Sequence, residues 1–189
     1  MILWTIQQPE IVNMIENTGQ FTCDTPLSEN YQDFQNAYLW IVGEMDKRKI
    51  HHPKDVQLPL WAWHTFNWKH KKPDFRCTGL GTPKHQYACI EFEIPDDQVL
   101  LSDHNHWHFV LNNSWFDDST NEEEFDKLHD WFDSLKPTER ETLKQDSWQK
   151  IFDVTPVHTN WLQTGRYVQA TFWTLKKDMI RDIKYFTAK

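Results

Sequence analysis

The sequence predicts an α+β fold in which small mixed or antiparallel sheets are flanked by helices, in a single domain spanning residues 1–189. A chain of this length ordinarily forms one domain, and no internal repeat or linker divides it. Hydrophobic residues make up 39% of the chain and include 11 tryptophans and 12 phenylalanines, whose burial offsets the entropy lost on ordering. Period-2 patterns typical of strands and 3.6-residue patterns typical of helices both occur along the chain.

The N-terminal part of the chain predicts a strand followed by two helices. Residues 3–7 read as a short strand. Pro9 then opens a helix through Asn17 that Thr18 and Gly19 end, since proline fits the first turn of a helix and glycine commonly follows the last. The second helix, at 32–48, has apolar residues at helical spacing and basic residues in its last turn, which suit the negative end of the helix dipole.

Three strands are predicted next, at residues 58–66, 87–94 and 99–102. In the first of these strands Trp61 and Trp63 are two positions apart, so both indoles lie on one face of the pleated backbone. A turn sequence separates the second strand from the third. The middle of the chain therefore predicts a sheet with one aromatic face.

The C-terminal part of the chain predicts further helices and strands. The segment 105–112 fits a helix or a strand. Thr120 and Glu123 have the spacing of a capping box, which predicts an acidic helix from there to about Leu135. The remaining elements are two helices and two strands, at residues 137–144, 146–152, 167–175 and 180–186.

Membrane proteins and several enzyme classes are excluded by what the sequence lacks. No apolar run approaches the roughly 20 residues that cross a bilayer, and the N-terminus carries no basic leader, so we expect a cytoplasmic protein without membrane contact. The chain contains no P-loop, no Gly-x-Gly-x-x-Gly, no Gly-x-Ser-x-Gly and no His-Glu-x-x-His. None of these common catalytic motifs therefore identifies the function.

The formal charge of −8 is unevenly distributed along the chain. Residues 117–146 hold eleven acidic and four basic residues, and the acidic helix at 117–135 is a candidate protein-facing surface. Residues 46–85 hold nine Lys or Arg, three Asp and five His. This second segment is either a site for an anion or a solvated loop surface.

A metal site is considered for three histidines at alternate positions, His104, His106 and His108. On a strand the three imidazoles point the same way, as a three-histidine zinc site requires. On a helix only His104 and His108 come together, and Trp107 between them indicates packing. We therefore expect no metal.

Several segments carry a resemblance to a known family. They are residues 3–7, 37–40, 45–48, 58–63, 90–97, 101–103, 107–108 and 169–173. These segments resemble an uncharacterised bacterial domain family, domain of unknown function 3841, over nearly the whole chain. The order of elements also looks, more distantly, like that of ADP-ribosyltransferases of the DNA-modifying toxin type, which split NAD in a cleft between two small sheets.

The distant resemblance implies an ADP-ribosyltransferase-like fold with NAD as cofactor. Thr5 or Gln7 would hold the ribose of NAD, and Trp61 and Trp63 would stack on nicotinamide. Arg48, Lys72 and Arg76 would meet the pyrophosphate. The full set of cofactor-binding residues is Thr5, Gln7, Tyr38, Arg48, Trp61, Trp63, Lys72 and Arg76.

The catalytic position departs from the resemblance. The glutamate of the superfamily would fall at Gln169 or Thr171, which are the catalytic candidates here. Neither side chain carries the negative charge that stabilises an oxocarbenium-like cation, so slow, altered or absent chemistry is expected.

Three functions are considered, of which the first is implied by the distant resemblance and the other two are suggested by the charge distribution. The first is an NAD-binding or nucleotide-binding protein that transfers ADP-ribose to a nucleic acid or a protein. The second is a non-enzymatic interaction module of a bacterial defence or toxin–antitoxin system, with the acidic helix at 117–135 facing a protein partner. The third is direct contact of residues 46–85 with RNA or DNA, which predicts binding that weakens steeply with salt.

Overall fold

The computed structural model describes residues 1–23, 31–117, 119, 121–159 and 161–189. Over these residues the chain forms α-helices and β-strands in the mixed order of an α+β fold, which confirms the predicted class. The strands are β1 (Ile2–Gln7), β2 (Gln20–Thr22), β3 (Leu60–Phe66), β4 (Gln86–Glu93), β5 (Leu100–Asp103), β6 (Tyr167–Phe172), β7 (Thr174–Lys176) and β8 (Ile180–Thr187). The helices are α1 (Pro9–Thr18), α2 (Tyr31–Lys47), α3 (His104–Leu111), α4 (Glu122–Ser134) and α5 (Pro137–Ser147). None of the helices in these ranges is long and apolar enough to cross a membrane.

Six strands form one antiparallel sheet in the order β5-β6-β3-β1-β4-β8, and β2 pairs with β7 in a second, small sheet. In the middle of the large sheet, β1 and β3 are paired only at Trp4 and Trp63. Beside this pair the Thr5 hydroxyl donates to the Trp61 carbonyl oxygen at 2.8 Å, so a side chain satisfies this carbonyl. The large sheet is therefore continuous, but its backbone pairing is sparsest between β3 and β1, where the half β5-β6-β3 meets the half β1-β4-β8.

One side of the large sheet, which we call the closed face, is filled by aliphatic and phenylalanine side chains. Ile11 and Ile15 on one stripe of α1 pack against it. The fully buried rings of Phe92 and Phe172 have centroids 4.9 Å apart in this layer. Cross-strand partners share a face of a sheet, which assigns to the closed face Leu3, Thr5, Gln7, Leu60, Ala62, Ala88, Ile90, Phe92, Ala170 and Phe172.

The other side of the sheet, which we call the aromatic face, has two covers with a gap between them. Helices α2 and α3 and a 3-10 helix at 148–152 pack onto the β5-β6-β3 half and form a second core. The segment 68–75 crosses the β1-β4-β8 half, where His70 meets Trp4 and Phe75 stacks on Phe186. Parts of β1 and β3 between the two covers remain partly accessible.

Two predicted elements have different bounds in the structure. The segment 105–112 forms the helix α3, because the buried Asp103 caps its N-terminus. The predicted strand at 167–175 is divided between β6 and β7. The residue between them is Trp173, whose indole donates to the Ile50 carbonyl oxygen at 2.8 Å. The chain therefore leaves the large sheet at Trp173 and pairs with β2 in the small sheet, which the sequence did not predict.

The helices after residue 120 also differ from the prediction. Helix α4 begins at Glu122 and is capped by Asn121, whose side-chain oxygen accepts from the Glu124 amide at 3.0 Å. Thr120, the predicted cap, lies outside the described residues. Helix α5 runs on to Ser147, so the predicted helix at 146–152 is a continuation of α5 into a 3-10 helix.

Candidate functional site

A row of polar and aromatic side chains crosses the aromatic face at the junction of the two half-sheets. Glu91 pairs with Trp4, Trp4 with Trp63, Trp63 with Gln169, and Gln169 with Ser102. Since directly paired residues of antiparallel strands project to the same side, these five side chains are neighbours across five strands. Strand β3, which carries Trp63, and strand β6, which carries Gln169, therefore meet at this row.

Helices α2 and α3 place further rings beside the row. The Trp63 indole has its centroid 5.2 Å from the His104 ring in an edge-on arrangement. The Trp61 indole lies 5.1 Å from the Trp107 ring and 6.3 Å from the Tyr38 ring. Trp61 and Trp63 are both only partly buried, so the site has aromatic surface to offer a flat ligand.

The position of His104 is fixed by the buried carboxylate of Asp103. This carboxylate accepts from the backbone amides of Asn105 at 2.9 Å and His106 at 3.1 Å, which begin α3. Its second oxygen accepts from the Gly165 amide at 2.6 Å. A carboxylate with several amide donors is a strong local anchor. Asp103 therefore holds the first residue of α3 against the sheet and ties it to the loop that precedes β6.

Three buried polar atoms at the site have no hydrogen-bond partner among the described residues. They are the Trp61 Nε1, the Ser102 Oγ and the His104 Nδ1. A buried donor or acceptor without a partner costs about 1–3 kcal/mol, so native proteins rarely keep several together without a use for them. A fourth such atom, the Nδ1 of His106 on α3, belongs to a ring that packs against Phe116.

The imidazoles of the site favour the neutral state. Burial lowers the pKa of His104 below its ordinary value, and hydrogen bonding with Gln169 opposes this shift only in part. Burial, followed by the neighbouring His70, also lowers the pKa of His64. The His64 and His70 rings stack with centroids 4.4 Å apart, and the His70 ring meets Trp4. A neutral imidazole at the row can accept a proton near pH 7.

The row contains one carboxylate, Glu91, which sequence reasoning missed. Its Oε2 accepts from the Trp4 indole at 2.8 Å, and the residue is partly buried. The sequence did contain a signal for Glu91. It alternates with the apolar residues Ile90 and Phe92, which places its carboxylate on the side of β4 opposite the core. Only the pairing with Trp4 shows that this side faces the tryptophans.

The structure separates the predicted ribose-binding residues from the tryptophans. Thr5 and Gln7 lie on the closed face, whereas Trp63 lies on the aromatic face. Thr5 is 1% exposed, and its hydroxyl accepts from the Gln7 side-chain amide at 2.8 Å. The assignment of Thr5 and Gln7 to a pocket shared with the indoles is therefore wrong, because neighbouring residues of a strand point to opposite sides.

Of the two catalytic candidates, only Gln169 has its side chain in the row. Thr171 is on the same face of β6 but is 0% exposed, and its hydroxyl donates to the Leu100 carbonyl oxygen at 3.2 Å. This bond holds the hydroxyl within the sheet edge and away from a ligand. The structure therefore corrects the prediction for Thr171.

The three predicted pyrophosphate ligands are not brought together. At the C-terminal end of α2, Arg48 pairs with the buried Glu44 at 2.5 Å and lies over the Phe152 ring. Arg76 is exposed and pairs with Asp74 at 2.6 Å.

Lys72 lies beside Lys184, which belongs to the edge strand β8 and projects from the aromatic face. Because strands are about 4.8 Å apart, β8 is roughly 14 Å from the Trp63 strand. Only a long ligand lying across the strands would reach both Lys72 and the tryptophans.

The three predicted histidines are divided by α3. The His104 and His108 rings, one turn apart, have centroids 4.9 Å apart, while His106 is buried on another side of the helix. Among the residues that the structure describes, no group of three or more His, Cys, Asp or Glu side chains is arranged to hold a metal ion. The strand arrangement on which a three-histidine site depended is therefore not formed.

Comparison with known proteins identifies a family over most of the chain. The family model described as Domain of unknown function (DUF3841) matches residues 2–181. No curated protein and no solved structure matches the chain.

Proposed function

We propose that this chain, which belongs to the family described as Domain of unknown function (DUF3841), binds NAD or a related nucleotide on its aromatic face and transfers ADP-ribose from it. The family description assigns no activity, so the proposal depends on the site. The observation that carries it is the set of three buried polar atoms that have no hydrogen-bond partner among the described residues, beside two partly exposed indoles.

The binding part of the proposal is supported by the chemistry of the row. A nicotinamide or adenine ring stacks on an indole face, a contact worth about 1–3 kcal/mol per base. Trp61 Nε1 offers a donor, Ser102 Oγ a donor and an acceptor, and His104 Nδ1 a donor or an acceptor. A flat ring with amide or ring nitrogen atoms satisfies such groups, whereas a purely apolar ligand leaves them unpaired.

The sparse pairing in the middle of the large sheet also supports the proposal. The two half-sheets meet at the pair of Trp4 and Trp63, and the row runs through this junction. The resemblance to ADP-ribosyltransferases implied a cleft between two small sheets. A nucleotide bound on the aromatic face at the junction would lie in the corresponding region.

Transfer of ADP-ribose requires that the bond from the ribose C1′ to the nicotinamide nitrogen breaks, and nicotinamide leaves with the electron pair. The acceptor hydroxyl or amine then bonds to C1′ and loses a proton, which the neutral His104 is suited to accept. Gln169 orients the ribose by hydrogen bonding. Glu91 supplies a negative charge at the other end of the row, three strands and roughly 14 Å from Gln169, so it does not contact C1′.

Calorimetric titration with NAD, ADP-ribose and nicotinamide tests the proposal. We expect wild-type protein to bind NAD and Trp63→Ala to bind it at least about tenfold more weakly, because a stacking contact is lost. Trp131→Ala is the matched control, since that indole is exposed on α4 outside the row. The absence of heat with all three compounds, or equal weakening by both substitutions, contradicts the proposal.

A further inference from the structure

Helix α4 has an apolar side that the rest of the chain does not bury. None of its residues is buried, although Phe125, Leu128, Trp131 and Phe132 fall on one side of the helix. Phe125 is 42% exposed and Trp131 is 46% exposed. Exposed aromatic residues grouped on one element, unlike single scattered ones, indicate an interaction surface.

Contacts within the chain account for only part of this apolar side. Trp115 stacks on Phe132 with centroids 4.5 Å apart and reaches Trp131 at 6.0 Å. Another indole, Trp161, is 63% exposed and donates to the Ser119 carbonyl oxygen at 3.3 Å. The aromatic area therefore continues from α4 onto Trp115, and Trp161 is a further exposed indole, bonded to a residue that precedes the helix.

The charge around the apolar side is strongly negative. Helix α4 carries six acidic residues and one lysine, Lys127, which pairs with Glu123. Asp133 pairs with Arg140 at 3.4 Å. No ion pair with a described residue is formed by Glu122, Asp126 or Asp130. These three carboxylates need a positive partner if they are to be covered, because burying an unpaired charge is costly.

We propose that the α4 surface, defined as Phe125 and Trp131 with Glu122, Asp126 and Asp130, binds a basic segment of a partner protein that also carries apolar side chains. The apolar residues of the partner cover the two rings, and its Lys or Arg residues meet the carboxylates. A symmetric second copy fits poorly, because a two-fold contact through this surface sets its acidic residues against themselves. This inference is independent of nucleotide binding.

Fluorescence anisotropy with synthetic labelled peptides tests the α4 surface. The probe is an amphipathic helical peptide of Leu and Lys, compared with a Leu and Glu peptide and with a Lys and Ser peptide of the same length. We expect the first peptide to bind at least about tenfold more tightly than either of the others, since it alone supplies both apolar area and positive charge. Equal binding of the Lys and Ser peptide overturns the proposal, because it shows attraction by charge alone.

Two variants of the protein locate the binding. The double variant Asp126→Lys with Asp130→Lys keeps the rings and reverses the charge. Trp131→Ala keeps the charge and removes a ring. Each variant is expected to bind the Leu and Lys peptide about tenfold more weakly. Replacement of the exposed Glu10 and Glu16 on α1 by lysine, which reverses the charge there, is the matched control. It should change the affinity for the Leu and Lys peptide less than twofold. Equal loss in the control overturns the proposal. So does a stable dimer of the chain that Trp131→Ala dissociates, since a second copy then occupies the surface.

Discussion

The two faces of the large sheet are built from the same strands but differ in what they leave unsatisfied. The closed face is a layer of aliphatic and phenylalanine side chains in which the one buried hydroxyl, that of Thr5, is hydrogen bonded. The aromatic face at the sheet junction has indoles, imidazoles and a carboxylate, and three of its buried polar atoms have no partner in the described chain. The buried hydroxyl of the closed face is thus satisfied within the fold, whereas the aromatic face keeps buried polar atoms that no described residue satisfies.

The two faces also differ in how their aromatic rings are buried. Phe92 and Phe172 are fully buried, and no closed-face atom is among the unsatisfied buried side-chain atoms of the described residues. The indoles of Trp61 and Trp63 pack on one side and remain accessible on the other. In proteins, buried polar groups without a hydrogen-bond partner commonly lie at binding sites, where a ligand supplies the missing hydrogen bond.

The largest expected effect comes from truncating one ring on each face. Phe172→Ala should lower the free energy of unfolding by about 3–5 kcal/mol, because it empties a fully buried position. Trp63→Ala should lower it by less than half as much, because that indole is already partly exposed. Urea denaturation of the two variants beside wild type measures both values. A greater loss for Trp63→Ala would show that the aromatic face is also core.

The next effect concerns the charge of the row. Gln169→Glu should raise the rate of nicotinamide release from NAD at least about tenfold, because a carboxylate stabilises the cation at C1′ better than a neutral amide does. Chromatographic measurement of nicotinamide checks the rate. Gln145→Glu on the exposed side of α5 is the control and should leave the rate unchanged. An unchanged rate for Gln169→Glu, with NAD still bound, would show that the site binds without chemistry.

A smaller effect is the pH dependence of stability that the buried histidines of α3 produce. Burial lowers the pKa of His104 and His106 from the ordinary value of 6.5, so the unfolded chain binds protons there more readily than the folded chain does. Their contribution to stability is fully present above pH 6.5 and is lost as the pH falls from 6.5 towards the lowered pKa of the folded state.

Urea denaturation between pH 7.5 and about pH 5 measures this loss. His106→Gln should flatten the dependence of the unfolding free energy on pH, whereas the control His85→Gln, at an exposed position, should leave it unchanged. Equal slopes for wild type and His106→Gln would contradict the argument.

The sequence was a good guide where the determining contacts are local. Pro9 and Gly19 mark the ends of α1, and Gly19 has the left-handed φ of 85° that its position requires. The spacing of Trp61 and Trp63 put both on one face of β3, as observed. These features depend on backbone geometry within a few residues.

The rest of the site depends on contacts between distant parts of the chain. The separation of Thr5 from the indoles follows from the pairing of Trp4 with Trp63, a register that no local pattern specifies. His104 begins a helix because Asp103 caps it, and the same carboxylate binds Gly165 in a remote loop. Glu91 joins the row only through the Trp4 indole. Residue types therefore predicted the elements, and register decided which residues share the site.

The most direct test of nucleotide binding on the aromatic face observes the indole N–H groups themselves. In a protein labelled with ¹⁵N-tryptophan, the signals of Trp61 and Trp63 are assigned by Trp→Phe variants and followed during titration with NAD. We expect both signals to shift to saturation, because Trp61 gains a hydrogen-bond partner and Trp63 a stacked ring. The signals of Trp148 and Trp173, which already donate to the Ser114 and Ile50 carbonyl oxygens, should stay in place. Unmoved signals of Trp61 and Trp63 at saturating NAD, or a uniform shift of every indole, would contradict the account.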